Sequence, residues 1–243
     1  MQNNFKEQII QTVLKPLTKT WLGKRIMRLE HEIFHQKLQS SYSQKGEDVI
    51  IDKLLGNKKN GFYVDVGANH PKWYNNTYHF YLKGWHGINI EPNKSNIQIF
   101  KELRTGDINL NLGIGNKENT LKFYEFDAHM LSTFSKSEAE KYKKQGYVLK
   151  HIEKVPVKKL STVLAKYSKR KEIDFISIDT EGYDMEVLKS NDWKKFRPKV
   201  ICIESASFGY EKDYAKVQAS FLAKQGYSKA AQTRLNSIYL RDN

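Results

Sequence analysis

The chain repeatedly runs a short apolar strand into an acid or a glycine, and this punctuation constrains its fold more than any other feature. Phe62-Tyr63-Val64-Asp65-Val66-Gly67 reads as a buried strand that ends in a glycine turn. His86-Gly87-Ile88-Asn89-Ile90-Glu91 is a second, closing in an acid ahead of Pro92. Residues 108–114 make a third. Ile173-Asp174-Phe175-Ile176-Ser177-Ile178-Asp179 is a fourth, followed by Thr180-Glu181-Gly182, and Val200-Ile201-Cys202-Ile203-Glu204 is a fifth. Stretches with helical spacing lie between and after them, at residues 77–83, 93–103, 183–188 and 213–224. Strands that alternate with helices predict an α/β fold with a doubly wound, mainly parallel sheet. Gly226-Tyr227 and Ser237-Ile238-Tyr239-Leu240 read as a closing hairpin. Residues 117–160, rich in lysine and aromatics, fit no step of the alternation and read as an insertion over the site.

Ahead of residue 41 the pattern is different. Ile9, Ile10, Val13, Leu14 and Leu17, then Ile26, Leu29, Ile33 and Phe34, recur at helical spacing, with Pro16 interrupting any single long helix. Residues 1–40 therefore read as a helical extension and residues 41–243 as one domain, a division that suits a chain of 243 residues. With Lys24, Arg25 and Arg28 beside its second run, the extension is either a cap on the domain or on a second subunit, or an interfacial helix on an anionic membrane. Composition removes other classes. Cys202 is the single cysteine, so there is no internal disulfide and no cysteine-rich zinc site, and a reducing, cytoplasmic compartment is expected. No apolar run reaches the roughly 18 residues that a spanning helix needs. A formal charge of +14, from 41 Lys+Arg against 27 Asp+Glu, favours anionic partners: nucleic acid, acidic polysaccharide, nucleotide-sugar or a membrane surface.

Open α/β sheets bind ligands beyond the carboxyl ends of their strands, where the informative residues of this chain gather. Gly67, in Asp65-Val66-Gly67-Ala68-Asn69-His70-Pro71, permits a tight turn and close approach of the backbone to a ligand. The pattern is neither G-x-G-x-x-G nor a Walker loop, which removes the main support for NAD or a P-loop nucleotide. Glu91 follows roughly 20 residues on, the place of an acid that accepts hydrogen bonds from both ribose hydroxyls of an adenosine ligand. Asn76-Thr77 opens the next helix, whose free N–H groups could hold a carboxylate such as that of a methionine moiety. Asp179, Glu181 and Glu204, at the ends of the fourth and fifth strands, could orient a sulfonium or accept a hydroxyl proton. Asp179 with Glu204 could also help to hold a divalent ion. His70 is either a general base or a rigid turn element beside Pro71. Trp73 and Tyr74 sit in the loop, where they could stack on a sugar or adenine, whereas Tyr78, Tyr81 and Trp85 fit a helix face packed on the sheet. Asp174 reads as a structural or solvated position, and the lysine runs as solvated faces without the aromatic interleaving of a single-strand nucleic-acid platform.

Taken together, these stretches resemble FkbM-type S-adenosylmethionine-dependent methyltransferases. The matching segments are Ser43-Gln44-Lys45-Gly46-Glu47-Asp48, the 62–71 strand and turn, Asn75-Asn76-Thr77-Tyr78, Gly84-Trp85 through Glu91-Pro92-Asn93, the 173–182 strand and turn, and Val187-Leu188, in the family's order. The resemblance implies a Rossmann-like class I methyltransferase fold, a seven-stranded sheet with an antiparallel last strand. It also implies S-adenosylmethionine as cofactor and O-methylation of a hydroxyl, commonly on a sugar or polyketide. By position it places Asp65, Gly67 and Asn69 at the methionine end and Glu91 at the ribose, and Ala68, Asn76, Thr77 and Pro92 join them as cofactor-binding candidates. Asp179 and Glu181 fall beside the methyl group, and Gly113 at the adenine edge. His70-Pro71 replaces a second glycine found in many relatives, and Leu112-Gly113-Ile114-Gly115-Asn116 matches more loosely. The expected acceptor is a sugar or glycan. Methylation of nucleic acid is the second reading, prompted by the charge and opposed by the absence of a [DN]-P-P-[YF] motif. A non-catalytic protein that keeps the fold is a third, and a nucleotide-sugar glycosyltransferase fits the turn poorly.

Overall fold

Five successive buried residues in Phe62–Val66 make β1 the axis of the molecule. Its side chains alternate between faces: Phe62, Val64 and Val66 join one apolar cluster, and Tyr63 joins another on the far side. This is what period-2 geometry requires of a strand covered on both faces. β2 (His86–Ile90) pairs with it in parallel, Asp65 opposite Asn89, and β7 (Phe175–Ile178) pairs on the other side, Asp65 opposite Ser177. β3 (Ile108–Leu110) extends the sheet beyond β2. On the other flank β8 (Val200–Glu204) runs parallel to β7, and β10 (Asn236–Arg241) lies antiparallel to both β8 and β9 (Tyr227–Gln232). The order β3-β2-β1-β7-β8-β10-β9 gives the seven-stranded, mainly parallel, Rossmann-like sheet with an antiparallel last strand. This computed structural model describes residues 41–169, 172–205 and 214–242. The helical reading of residues 1–40 lies outside them.

The helices are α1 (Glu47–Leu54), α2 (Tyr78–Leu82), α3 (Lys94–Leu103), α4 (Lys136–Lys144), α5 (Leu160–Tyr167), α6 (Asp184–Lys189) and α7 (Tyr214–Lys224). α3 starts where it does because Asn93 is an N-cap: its side chain accepts from the backbone N–H groups of Ser95 and Asn96. Asp174, buried one residue before β7, accepts from the Phe62 N–H and from Lys58 and Lys199, so its structural reading holds. Trp85 and Phe80 are fully buried with ring centroids 4.8 Å apart, as expected of core aromatics.

The expected strand over 108–114 is broken. β3 ends at Leu110, and Asn111 donates its side-chain amide to the carbonyls of Glu91 and Pro92, 3.0 and 2.8 Å away. Those bonds draw the chain off the sheet, and Gly113–Ile114 becomes β4 of a second sheet. That sheet, in the order β4-β6-β5, adds β5 (Asn119–Phe126) and β6 (Leu149–Lys158), which pair antiparallel. The 117–160 insertion is thus largely a hairpin carrying α4, whose buried Ala139 and Tyr142 pack with Phe126.

Candidate functional site

The carboxyl ends of β1, β2 and β7 open into a cleft that holds about 840 Å³ of empty space, its open mouth included. Asp65, Gly67, Ala68, Asn69, Asn76, Glu91, Pro92, Gly113, Asp179 and Glu181 line it. Ten residues picked from the sequence are therefore brought to one wall.

Gly67 has φ +78°, and a Cβ there would run into the backbone carbonyl of Asp179. The glycine lets the β1 turn pass against the end of β7 and keeps both on the cleft. The Gly67 and Ala68 N–H groups donate to the Ile90 carbonyl, 3.0 and 3.2 Å away, which pins this turn to β2. Asn69 follows at φ +51°, a conformation that asparagine tolerates better than most residues.

Glu91 is the most fully framed acid. Its Oε2 accepts from the Asn69 N–H at 2.7 Å and its Oε1 from the Asn93 N–H at 2.7 Å, so the carboxylate is fixed in orientation while it lines the cleft. Burial pushes it up to about 8, against those two bonds, which pull the other way. Asp65 is raised to about 6, also by burial, and the nearby Arg104 charge limits the rise. Its Oδ2 accepts from Asn75 and from the Thr77 hydroxyl, both at 3.0 Å.

One expectation needs correction. Thr77 is fully buried, its N–H already donates to Asn75 Oδ1 at 3.0 Å, and its hydroxyl faces Asp65 and Arg104. The free N–H groups expected there are not available at Thr77, which supports the cleft from behind; Asn76 lines it and donates to Ser177 Oγ at 3.0 Å. His70 stands in the turn after β1, where its Nδ1 accepts from the N–H groups of Lys72 and Trp73, at 3.2 and 3.1 Å, and it is not among the residues that line the cleft. Trp73 packs its ring by His70, while Tyr74 lines the cleft.

At the far end stand the acids. Asp179, Glu181 and Glu204 each bring an oxygen within 4.8 Å of the others. Burial raises all three, Asp179 to about 7 and the other two well above the ordinary range. The neighbouring carboxylates reinforce the rise, Asp184 leading for Asp179, and Asp179 for Glu181 and Glu204. Asp184 accepts from the Thr180 N–H and hydroxyl at 2.9 and 2.8 Å, fixing the turn after β7.

The insertion supplies what the sequence reading missed. Phe123, Met130, Ser132 and Phe134 line the cleft, so residues 117–160 do contribute to the site. Tyr142 donates to Glu181 Oε2 at 2.7 Å, and Thr133 Oγ donates to the Glu181 carbonyl at 2.7 Å. These bonds hold Glu181 at φ +49°, which a glutamate rarely adopts. Gln44 also lines the cleft, from the 43–48 motif.

With this geometry in hand, the sequence profile of the methyltransferase FkbM domain matches residues 65–229. A search of curated proteins finds no match. Among solved structures, 1,6-didemethyltoxoflavin-N1-methyltransferase of Burkholderia thailandensis, with 1,6-didemethyltoxoflavin and S-adenosylhomocysteine bound, is 9% identical at a TM-score of 0.43, over 90% of this chain and 87% of that one. A methyltransferase from Geobacter sulfurreducens is 10% identical at a TM-score of 0.43, over 90% and 89%. Precorrin-6y C5,15-methyltransferase from Geobacter metallireducens is 9% identical at 0.40, over 80% and 88%.

Proposed function

This chain belongs to the methyltransferase FkbM domain family, and on that premise we propose that it transfers a methyl group from S-adenosylmethionine to a hydroxyl of a sugar or glycan. The observation that carries the cofactor reading is Glu91. Both its oxygens are oriented by backbone N–H groups, and each keeps a lone pair for a ligand hydroxyl, which is what a vicinal ribose diol requires. Asp65, Asn69 and Asn76 would hold the methionine end, and Pro92 with Gly113 would form the wall beside the base. S-adenosylmethionine, when bound, supplies an electrophilic methyl on a positively charged sulfur. Asp179 and Glu181 give the cleft an acidic end suited to that charge.

With His70 engaged in its turn, the proton acceptor is Asp179, on the cleft wall. As the acceptor oxygen takes the methyl group, its proton passes to this carboxylate. Positioning in the cleft supplies much of the remaining acceleration. Tyr74, 44% exposed and on the cleft wall, offers a face for a sugar ring. Titration calorimetry with S-adenosylmethionine tests the reading. Wild type binds, and Glu91→Ala weakens binding by roughly 10- to 100-fold, the cost of hydrogen bonds to a charged group. No binding by wild type ends the proposal. Label transferred from the cofactor to nucleic acid and to no hydroxylated sugar would replace the acceptor class.

A further inference from the structure

We propose that Asp179, Glu181 and Glu204 form a binding site for one hard divalent cation. The three carboxylates come from the ends of the adjacent strands β7 and β8, and an oxygen from each lies within 4.8 Å of the others. Oxygens on opposite sides of a cation bound at about 2.3–2.6 Å are separated by about 4.6–5.2 Å, and adjacent ligands lie closer, so the spread is that of an open coordination shell. An all-carboxylate set without nitrogen or sulfur selects Mg²⁺, Mn²⁺ or Ca²⁺ over softer metals.

The second observation is Glu204 itself. It is 6% exposed, and its Oε2 is buried without a hydrogen-bond partner among the described residues. A buried carboxylate oxygen left unsatisfied is costly, and the same carboxylate brings an oxygen within 4.8 Å of those of Asp179 and Glu181. Among the described residues, the charges that act most strongly on all three are other acids, Asp184 among them. A divalent ion satisfies the orphan oxygen and removes that repulsion together.

Asp179 and Glu181 line the cleft, so the ion's remaining positions face it. That the ion stands beside an acceptor hydroxyl rests on the methyl-transfer reading; that it binds does not. Mn²⁺ binding to the full chain, followed by electron paramagnetic resonance, tests the site. One Mn²⁺ is expected per chain, displaced by Mg²⁺ or Ca²⁺ and weakened about tenfold or more in Glu204→Gln, since affinity at such sites follows the count of charged ligands. S-adenosylmethionine titration on the same samples, and the circular dichroism of the variant, separate the outcomes. Absence of stoichiometric Mn²⁺ on a wild type that binds the cofactor overturns the cation site alone, with the acids holding protons instead. Mn²⁺ bound without the cofactor overturns the methyl-transfer reading alone. Equal Mn²⁺ affinity in a folded Glu204→Gln, or in Asp179→Asn should the first variant not fold, also overturns the site.

Discussion

Arg104 is fully buried, and its donors are engaged on every side: Nε on Asp107 at 3.0 Å, Nη1 on the Pro71 carbonyl, and Nη2 on Tyr63 and Thr77, each at 2.8 Å. Through the Thr77 hydroxyl this guanidinium braces Asp65, and its charge restrains the upward shift of that acid. One side chain thus ties the cleft's rear wall to the β2–β3 edge without touching the cleft. Arg104→Met would leave Asp107, itself fully buried in that ion pair, as an uncompensated charge. A loss of about 3–5 kcal/mol is expected in urea unfolding, and a loss below about 1 kcal/mol would show that the pair carries little net weight. At the other end of the cleft, Asp179→Asn removes the proposed proton acceptor while keeping its shape. Single-turnover rates should fall by roughly 10²–10⁴-fold, a much larger change than any loss of affinity for S-adenosylmethionine. A parallel loss of both would make Asp179 a binding residue.

Among elements, the β1 and β7 turns set the site, and Gly67 is where they meet. Gly67→Ala must accommodate a Cβ against the Asp179 carbonyl at φ +78°. Positive φ alone costs about 1–2 kcal/mol, so a destabilisation of roughly 2 kcal/mol or more and loss of cofactor binding are expected, read by thermal melts and titration. A variant that melts and binds like wild type would show that the two turns separate freely. The same turns were legible in the sequence because strands covered on both faces are continuous apolar runs, and Gly67, Glu91 and Asp179 punctuate them. α1 was not legible: it has eight residues, and its role is tertiary, Glu47 accepting from Thr233 and Asn236 of the closing hairpin. Nor was the insertion's architecture. β6 is mostly exposed, with Ile152 48% exposed, so hydrophobic periodicity has little to report. The bonds from Tyr142 and Thr133 to Glu181 cross 39 and 48 residues of sequence, beyond the reach of any local pattern.

At the scale of the whole molecule, a chain of charge +14 places Asp65, Glu91, Asp179 and Glu181 on one cleft, and this arrangement gives stability a definite pH dependence. Among the described residues no helix is long and apolar enough to cross a membrane. Glu91 stands at about 8 in the folded state against an ordinary 4.5, and Asp65 at about 6 against 3.8. For a group raised on folding, the stabilisation is complete below the ordinary value and is lost as pH climbs through the folded one. Asp179, Glu181 and Glu204 are displaced in the same direction. Glu47 and Asp52 are held below their ordinary values by hydrogen bonds, from Thr233 and Asn236 and from Lys83 and His79, so their contribution is lost as pH falls into the acid range. The protein, with chelator present and no cofactor, should therefore melt highest at weakly acidic pH and lose Tm steadily up to about pH 8.5. Glu91→Gln, which keeps the shape of the protonated acid, should flatten the upper part of that decline. The gain at alkaline pH should be a few degrees, since 1 kcal/mol moves Tm by about 2–4 °C in a domain of this size. A Tm that climbs from pH 6 to 8.5, or a variant that keeps the full slope, would mean that Glu91 is ionised in the free protein and that its two backbone bonds outweigh its burial.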